Sequence, residues 1–384
     1  MTDLILMKSL FWTSFAAVVY AYFGYPLALM VLKRLAGPKK ARVTDDSFYE
    51  PALSIIIPVH NEAAVIEEKL RNLMQLDYPA GKCEIIIISD GSTDRTGEIV
   101  SQHLEGRIKY IEMPERRGKA AALNAGVEQA ANEIIVFSDA SIMIEQAALR
   151  NIVRRFRDPE IGCISGEDHI REPGGEGFYG KYELWLRNLE SRVHSIVGAS
   201  GSFYAQRREL CQPFEEGMAP DFFSVLNTVE KGFLAINEPL AFGTMKSLKD
   251  TKDEFNRKVR TLVRGMTVLF HKKGLLNPYK YGFFAIELFS HKIMRWLVPF
   301  FLILLFISNL VLFQIDFYYL IFICQIFFYL LALISFSKIG NFYKRIWGKI
   351  PLYFTTVNAA ILFAWFKYLS GVRQEIWNPT KRQA

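Results

Sequence analysis

The chain has 384 residues, 51% of them hydrophobic, and a formal net charge of +7, which allows one mid-sized catalytic domain plus membrane segments. The basic residues cluster beside apolar segments, so anionic lipid headgroups explain the charge more simply than nucleic acid does, and we expect no nucleic-acid partner. The four cysteines lie far apart without paired spacing, which argues against a zinc site or a disulfide framework and agrees with a reducing cytoplasm.

The first predicted element is a membrane anchor within residues 1–35. Leu10–Leu32 carries no charge and is long enough to span a bilayer. A cleaved signal peptide is the alternative, but the apolar run is long, contains Pro26 and has no obvious small-residue cleavage site. Basic residues follow the anchor: Lys33, Arg34, Lys39, Lys40 and Arg42. The positive-inside rule therefore predicts a cytoplasmic domain on a cell membrane, as in a bacterial inner membrane.

Residues 50–245 alternate between strand and helix patterns. The predicted strands are Leu53–Pro58, Glu84–Ser89, Ile108–Met113 and Glu133–Ser138. The predicted helices are Glu62–Met74, with Ile66, Leu70, Leu73 and Met74 on one face, Ser92–Leu104 and Gly118–Ala131. This alternation implies right-handed βαβ units and a parallel sheet. The loop Glu172–Gly177 then marks the start of a second, less regular half.

Two of these strands end in carboxylates. The β-branched run of Glu84–Ser89 leads into Asp90-Gly-Ser-Thr-Asp94, and the fourth strand ends at Asp139. Ligands bind at the carboxyl ends of strands in open α/β sheets, and Mg²⁺ is held by one or two carboxylates plus substrate phosphates. The alternative is structural, with Ser92 and Asp94 supporting a helix start and Asp139 acting as a cap. Gly-x-Gly-x-x-Gly and Gly-x-x-x-x-Gly-Lys-Ser/Thr fingerprints are missing, which argues against a dinucleotide oxidoreductase and a P-loop NTPase.

Residues 250–295 fit amphipathic helices, whose apolar positions include Phe255, Val259, Leu262, Val263, Met266, Leu269 and Phe270. They lie either flat on the membrane surface or as ordinary domain-closing helices. In residues 296–370, the uncharged stretches Trp296–Phe313, Phe317–Ser337 and Ile350–Phe366 predict two to three transmembrane helices, followed by a basic tail in residues 371–384. The last loop contains four basic residues, which predict a cytoplasmic location: Lys338, Lys344, Arg345 and Lys349. Three full spans would leave the C-terminus outside, yet the segment after them is also basic, with Lys367, Arg373, Lys381 and Arg382. The C-terminal topology therefore stays open between a third span and an interfacial or re-entrant segment.

Four motifs occur in the order that is typical of family 2 glycosyltransferases. They are Ser54-Ile-Ile-Ile-Pro58-Val-His-Asn-Glu62, Ser89-Asp90-Gly-Ser-Thr-Asp94, Arg116-Arg-Gly-Lys119-Ala-Ala-Ala-Leu-Asn124 and Phe137-Ser-Asp139-Ala. The chain resembles this family over about residues 50 to 265. The resemblance implies an inverting enzyme with an α/β, A-type glycosyltransferase domain. Its Rossmann-like mixed sheet would be combined here with one N-terminal and two to three C-terminal transmembrane helices.

The resemblance also implies a donor site. Pro58, His60 and Glu62 would border the base and ribose of a nucleotide sugar, and Asp90 would hydrogen-bond the base, most often uracil in this family. Arg117 and Lys119 would lie near the nucleotide, unless they form a solvated basic turn. Asp139 would hold Mg²⁺ or Mn²⁺ on the diphosphate. This chain has Ser141 where the family's Asp-x-Asp pattern has its second aspartate.

On the acceptor side, Gly198–Arg207 resembles the glycine-rich segment that the family places beside the acceptor. Asp221 matches the catalytic base of the Glu-Asp motif, with Pro220 in place of the glutamate. Its alternative role is a helix-cap carboxylate. Arg260 and Arg264 would grip the diphosphate, or bind lipid headgroups equally well.

The sequence leaves three functions open. Lys258, Thr261 and Leu262 stand where processive synthases carry Gln-x-x-Arg-Trp, and few spans are present to line a channel. Both features favour transfer of one sugar at a time from a UDP-sugar to a lipid-linked or membrane glycan acceptor in cell-envelope or exopolysaccharide synthesis. A processive polysaccharide synthase and a non-catalytic nucleotide-sugar-binding scaffold are the alternatives.

Overall fold

The structure is a computed structural model and describes residues 2–35, 49–104, 106–171, 176–246, 251–337, 342–343 and 345–373. Several predicted features fall outside these residues. They are the basic residues Lys39, Lys40 and Arg42, residues 172–175 of the loop after the first half-domain, Lys338 and Lys344, and the basic tail from residue 374.

A mixed sheet forms the centre of the described domain. Its strands in chain order are β1 Leu53–Val59, β2 Cys83–Asp90, β3 Ile108–Met113, β4 Ile134–Ser138, β5 Met143–Ile144, β6 Ile161–Arg171, β7 Phe203–Arg207 and β8 Leu234–Lys246. They are arranged in the order β3-β2-β1-β4-β7-β6-β8-β5. The four predicted strands β1 to β4 are parallel, whereas β7 runs antiparallel to both of its neighbours, β4 and β6. The sheet is therefore mixed, as the family resemblance implies.

Helices flank this sheet and extend beyond it. In chain order they are α1 Thr2–Val19, α2 Tyr25–Leu35, α3 Ile66–Met74, α4 Thr96–Ser101, α5 Lys119–Gln129, α6 Ala148–Val153, α7 Glu176–Val193, α8 Pro220–Glu230, α9 Thr251–His271, α10 Pro278–Leu288, α11 Met294–Leu312, α12 Asp316–Phe336 and α13 Ile346–Leu369. The π-helical turns Tyr20–Gly24 and Phe289–Ile293 join α1 to α2 and α10 to α11.

The β2 strand is buried on both faces, as its β-branched run predicts. Ile86 and Ile88 pack in a core with apolar residues of α5, α8 and α9. Ile85 and Ile87 pack in a second core with apolar residues of α3 and α6. The sheet is thus covered on both sides, and the strand ends are held at a fixed edge where ligands bind in such folds.

Two predicted helices begin later than expected. The helix predicted from Glu62 begins at Ile66, and Met74 is 47% exposed instead of lying on the buried face. The helix predicted over Ser92–Leu104 is confined to α4, because the preceding residues form a turn bonded to Asn61. Ser92 is therefore not its N-cap. Asp94 supports the helix start as predicted, accepting hydrogen bonds from the Thr96 backbone N–H at 3.0 Å and hydroxyl at 2.5 Å.

The apolar face of α9 is buried between the domain and α13. Val259, Val263, Met266 and Leu269 belong to the same core as Ala360, Ile361 and Ala364 of α13. A helix lying flat on a membrane would turn this face toward lipid, so the packing favours the domain-closing alternative. It also fixes the catalytic half of the chain to its C-terminal helices.

Within the described residues, four helical segments are long and apolar enough to cross a membrane, namely Thr2–Leu35, Pro278–Leu312, Asp316–Phe336 and Ile346–Leu369. They contain all four predicted apolar stretches apart from their terminal residues. The boundary predicted at residue 295 falls inside the helical segment Pro278–Leu312, which contains a kink at Gly282 (φ 53°) and the π-helical turn Phe289–Ile293. At 1.5 Å per residue this helix is about 50 Å long, against a hydrocarbon thickness of about 30 Å. Its first half, which includes Phe284 and Leu288, packs into the domain core.

Candidate functional site

The turns after β1 and β2 are bonded to each other. The His60 ring Nδ1 lies 2.7 Å from the Asp90 carbonyl oxygen, and the Asn61 side chain accepts the Thr93 N–H at 2.8 Å. Asn61 has a positive φ of 54°, a conformation that asparagine adopts more readily than most residues. The structure therefore brings the predicted donor residues His60 and Asp90 together at the carboxyl edge of the sheet, with the Glu62 backbone N–H donating to the Thr96 hydroxyl beside them at 2.9 Å.

The Asp90 carboxylate is used inside the protein. It accepts hydrogen bonds from the backbone N–H groups of Arg117 at 2.6 Å and Gly118 at 2.9 Å, and the residue is only 1% exposed. Gly118 (φ 90°) precedes α5. Asp90 thus fixes the loop that leads to Lys119, while the Arg117 side chain is exposed. A contact between the Asp90 carboxylate and a base stays a prediction.

Four predicted functional residues line one small pocket at the ends of β1 and β4. They are Pro58, Lys119, Asp139 and Asp221, and Gly201 faces the same pocket. The Lys119 Nζ lies 2.5 Å from Asp139 Oδ1 and donates a longer hydrogen bond, 3.3 Å, to the Gly201 carbonyl. These groups come from α5, β4 and α8 and from the glycine-rich segment. The pocket therefore combines a cation, two carboxylates and an open stretch of backbone.

Asp221 lies in the first turn of α8, where Pro220 occupies the helix start. A Cβ placed on Gly201 would lie 3.8 Å from the Asp221 carboxyl carbon. Burial raises the pKa of Asp221, and the positive charges of Lys119, Lys292 and Arg187 act in the opposite direction. A carboxylate with a raised pKa next to open backbone suits a general base.

The Gly198–Ser202 turn is held at the edge of the sheet by Ser200. Its N–H donates to Ser165 Oγ at 2.8 Å, and its hydroxyl donates to Asp168 at 2.5 Å. The Ser202 carbonyl accepts the Asp139 N–H at 2.9 Å. The glycine-rich segment and the end of β4 are therefore one connected unit, which fixes the spacing between Asp139 and the backbone beside Asp221.

Two half-buried arginines of α9, Arg260 and Arg264, were predicted to bind the diphosphate. Burial and the neighbouring charge of Arg260 lower the pKa of Arg264 to about 10, and the charge of Asp221 acts in the opposite direction. Burial likewise lowers the pKa of Arg260. Lys258 points elsewhere, because it pairs with Glu254 at 2.5 Å and its Nζ lies 4.5 Å from the Tyr353 ring centroid. Of the two arginines, Arg264 is thus the one whose pKa responds to the charge of Asp221.

One buried lysine behind the pocket was missed in the sequence. Lys69 of α3 is 0% exposed, and its Nζ donates to Ser138 Oγ at 2.8 Å and to the Ile142 carbonyl at 2.7 Å. Burial lowers its pKa from 10.5 to about 7. The burial of Lys69 could have been predicted from its helical spacing, because it lies on the same face as the apolar Ile66, Leu70 and Leu73. It holds the residues that flank Asp139.

The residues present fit a divalent cation held mainly by substrate. Among the described residues, no group of three or more His, Cys, Asp or Glu side chains could hold a metal alone. Of the carboxylates that line the pocket, the family pattern assigns Asp139 to the metal, and the Oδ1 atom of Asp139 faces the Lys119 ammonium. Mg²⁺ and similar cations are commonly bound by a single carboxylate with phosphates and water. Asp139 therefore fits as a single protein ligand.

Comparison with known proteins identifies the relatives of this chain. Residues 54–212 match the profile of the family described as Glycosyl transferase family 2. Poly-beta-1,6-N-acetyl-D-glucosamine synthase of Staphylococcus aureus (strain COL) is 36% identical over 121 residues, and that of Staphylococcus epidermidis is 34% identical over 121 residues. Each alignment covers 31% of this chain and 29% of the relative, so the match spans less than a third of these synthases.

One solved structure matches nearly the whole chain. It is the mannosyltransferase PcManGT from Pyrobaculum calidifontis in complex with GDP-Man and Mn²⁺. The two chains are 25% identical with a TM-score of 0.69, and the match covers 94% of this chain and 99% of the other. The predicted A-type glycosyltransferase fold is confirmed.

Proposed function

Because residues 54–212 form a family 2 glycosyltransferase domain, we propose that the chain is a membrane-anchored, inverting glycosyltransferase. It transfers a sugar from a nucleoside diphosphate sugar to a lipid-linked or membrane-associated glycan acceptor in cell-envelope or exopolysaccharide synthesis. The observation that carries this proposal is the convergence of Lys119, Asp139 and Asp221 on one pocket beside Gly201. The four apolar helices of the described residues support attachment to a cell membrane. We place the catalytic domain on the cytoplasmic side because basic residues, among them Lys33 and Arg34, follow the first helix.

The mechanism follows from the charges in this pocket. The acceptor hydroxyl attacks the anomeric carbon and transfers its proton to the Asp221 carboxylate, a role that contributes about 10²–10⁴-fold. The bond between the anomeric carbon and the phosphate oxygen breaks as the glycosidic bond forms, and the nucleoside diphosphate leaves. A single displacement of this kind inverts the anomeric centre. Lys119 and Arg264 face the growing negative charge of the diphosphate, which lowers the barrier electrostatically.

Asp139 is the residue that would hold a divalent cation on the diphosphate, Mg²⁺ or Mn²⁺. A cation there neutralises phosphate charge when the donor is bound. The structure of the mannosyltransferase PcManGT, which contains Mn²⁺ and a nucleotide sugar, supports the use of a divalent cation.

For the donor we propose a UDP-sugar. Pro58, His60, Glu62 and Asp90 would form the base side of its pocket, with Arg117 at the rim. The match to N-acetylglucosamine polymer synthases makes UDP-N-acetylglucosamine the first donor to test. GDP-mannose is the second, because it is the donor bound by the relative that matches nearly the whole chain.

A processive polysaccharide synthase is the second candidate function, because the curated relatives that match residues of this domain are polymer synthases. Position 258 carries lysine where a processive synthase has the glutamine of Gln-x-x-Arg-Trp, and here that lysine pairs with Glu254. This pairing supports transfer of one sugar at a time.

The test uses the full chain purified in a non-ionic detergent. We expect release of nucleoside diphosphate from one of a set of nucleotide sugars, dependent on Mn²⁺ or Mg²⁺ and on added membrane lipid extract. Asp221→Asn should lose this turnover but keep binding of the nucleoside diphosphate with metal. Turnover that is equal in Asp221→Asn would overturn the assignment of the base. Donor binding without any transfer would identify a scaffold.

The size of the radiolabelled product separates the two catalytic candidates. A lipid-soluble product that carries a single added sugar supports the proposed function. A product that grows to high molecular weight without release from the enzyme supports the processive synthase.

A further inference from the structure

Lys292 is a cation at the junction between the domain and the membrane helices. It lies in the π-helical turn Phe289–Ile293, within the long apolar helix Pro278–Leu312. A π-turn adds one residue to a helical turn and so changes the direction of the side chains around it, often at functional sites. Here the turn contains both His291 and Lys292.

The charged residues next to Lys292 have partners of their own. His291 lies 2.5 Å from Glu190 and 3.3 Å from Glu183, and Arg295 pairs with Glu183. Glu190 also accepts the Tyr25 hydroxyl at 2.8 Å. Glu183 and Glu190 therefore have direct partners other than Lys292, although their negative charges also act on its ammonium.

Lys292 itself makes no hydrogen bond or ion pair with any residue that the structure describes. Its Nζ lies 5.1 Å from the centroid of the Phe222 ring, the residue after Asp221. A weak cation–π contact compensates only part of the cost of removing an ammonium from water. Charged residues within membrane helices are rare and generally mark functional sites.

The free ammonium faces the glycine-rich segment. A Cβ placed on Gly198 would lie 3.5 Å from Lys292 Nζ, in ordinary van der Waals contact. Gly201, at the other end of the same turn, faces Asp221. Lys292 does not line the pocket that contains Lys119 and Asp139. It therefore lies outside the pocket of the proposed donor site, beside the glycine-rich segment that the family resemblance assigns to the acceptor.

We propose that Lys292 and the open backbone at Gly198 form an anion subsite that binds the phosphate of a lipid-linked acceptor. This inference rests on the proposed function and deepens it. A lipid phosphate fits because the ammonium is carried by a helix that is apolar enough to span a bilayer, so that a ligand held there can keep its hydrocarbon chain in the membrane. The phosphate at Lys292 would leave the acceptor's reacting oxygen near Asp221.

The probe is farnesyl phosphate, added to the full chain in non-ionic detergent micelles, with farnesol and inorganic phosphate as parallel arms. We expect farnesyl phosphate to raise the melting temperature by mass action and farnesol not to do so. Lys292→Met should weaken binding by about tenfold or more, since a hydrogen bond to a charged group is lost, and Lys292→Arg should restore most of it. Stabilisation by inorganic phosphate at equal concentration would overturn the assignment to a lipid.

Two further variants keep the test decisive if Lys292→Met folds poorly. Gly198→Ala fits sterically and keeps the ammonium, but its methyl group occupies the space in front of Lys292, so it should also weaken farnesyl phosphate binding. Lys280→Met is the matched control, because Lys280 also lies over an aromatic ring, 5.0 Å from the Tyr281 centroid, but is fully exposed. Equal farnesyl phosphate binding in Gly198→Ala, Lys280→Met and the unmodified chain would overturn the proposal.

Binding of UDP with Mn²⁺, measured on the same samples, separates this proposal from the proposed function. Farnesyl phosphate binding that is insensitive to Lys292→Met, with UDP–Mn²⁺ binding intact, overturns the anion subsite alone. Loss of UDP–Mn²⁺ and GDP–Mn²⁺ binding in the unmodified chain would instead contradict the proposed function.

Discussion

The Lys119 ammonium and the Asp139 carboxylate form an ion pair, with Nζ 2.5 Å from Oδ1 and both side chains only partly exposed. The same carboxylate is the proposed cation ligand, and the same ammonium is a proposed partner of the diphosphate. A cation on Asp139 therefore competes with the Lys119 ammonium for the same carboxylate, and the diphosphate would accept a displaced ammonium. The pair links the occupancy of the two proposed sites.

The first prediction follows from this competition. Lys119→Met should bind Mn²⁺ more tightly than the unmodified chain when no nucleotide is present, because the competing ammonium is gone. It should bind UDP–Mn²⁺ more weakly, by roughly tenfold or more, because a charge-assisted contact worth about 1.5–3 kcal/mol is lost. Titration calorimetry with Mn²⁺ alone and with UDP–Mn²⁺ measures both. If the two affinities change in the same direction, the competition does not exist.

Gly201 gives a prediction about access to the base. A methyl group at this position would lie 3.8–3.9 Å from the Asp221 carboxyl group, which is ordinary contact, so Gly201→Ala should fold. It should lower acceptor-dependent turnover on the order of 100-fold, because a displacement of about 1 Å at a reacting group has effects of this size. UDP–Mn²⁺ binding serves as the control and should change little. Unimpaired turnover would show that the acceptor does not pass between Gly201 and Asp221.

Lys69 gives a prediction about stability. Its pKa is lowered from 10.5 to about 7 in the folded chain, so the unfolded chain binds more protons between these pH values. Stability contributed by this group must therefore rise with pH in that window, by up to about 1.4 kcal/mol per pH unit. Lys69→Met removes this dependence. Its melting temperature relative to the unmodified chain should fall from pH 7 to pH 9.5, and the same comparison with the exposed Lys231→Met should show no such trend.

The sequence predicted the parts of the fold that depend on local pattern. The apolar run of β2 and the short-range alternation of strands with helices predicted the parallel strands. The order of the four motifs predicted the family. The antiparallel β7 and the two-residue β5 carry no comparable signal, and their pairing depends on contacts between distant segments. The predicted start of α4 was wrong because the turn that was expected to be helical donates hydrogen bonds to the Asn61 side chain, which lies about thirty residues earlier in the chain.

The site was predicted as a set of residues but not as an arrangement. The order of the motifs identified Asp139 and Asp221 as candidate site residues. It could not show that the Asp90 carboxylate accepts hydrogen bonds from the backbone N–H groups of residues 117 and 118. Lys292 could not be found from its neighbours in sequence, because its environment is formed by Gly198 and Phe222. Contacts between residues that are far apart in the chain decide which charged side chains have direct partners, and the local sequence pattern does not contain this information.

The last prediction concerns the ionisation of Asp221. Its pKa is raised in the folded chain, so the stability linked to this group is present at low pH and is lost as pH rises through the folded pKa. Asp221→Asn, which cannot ionise, should therefore melt at the same temperature or higher at pH 7 while losing about 10²–10⁴-fold in turnover. A clearly lower melting temperature would mean that the charged carboxylate is structural.

The same pKa sets the acidic limb of the pH profile of kcat/KM, because the base must be ionised to accept a proton. Lys292 lowers the pKa of Asp221, so Lys292→Met should move this limb to higher pH, whereas Lys280→Met should leave it in place. The profile is measured with saturating Mn²⁺ and a fixed acceptor. A limb that moves equally in both variants, or in neither, would contradict the electrostatic link between the membrane helix and the base.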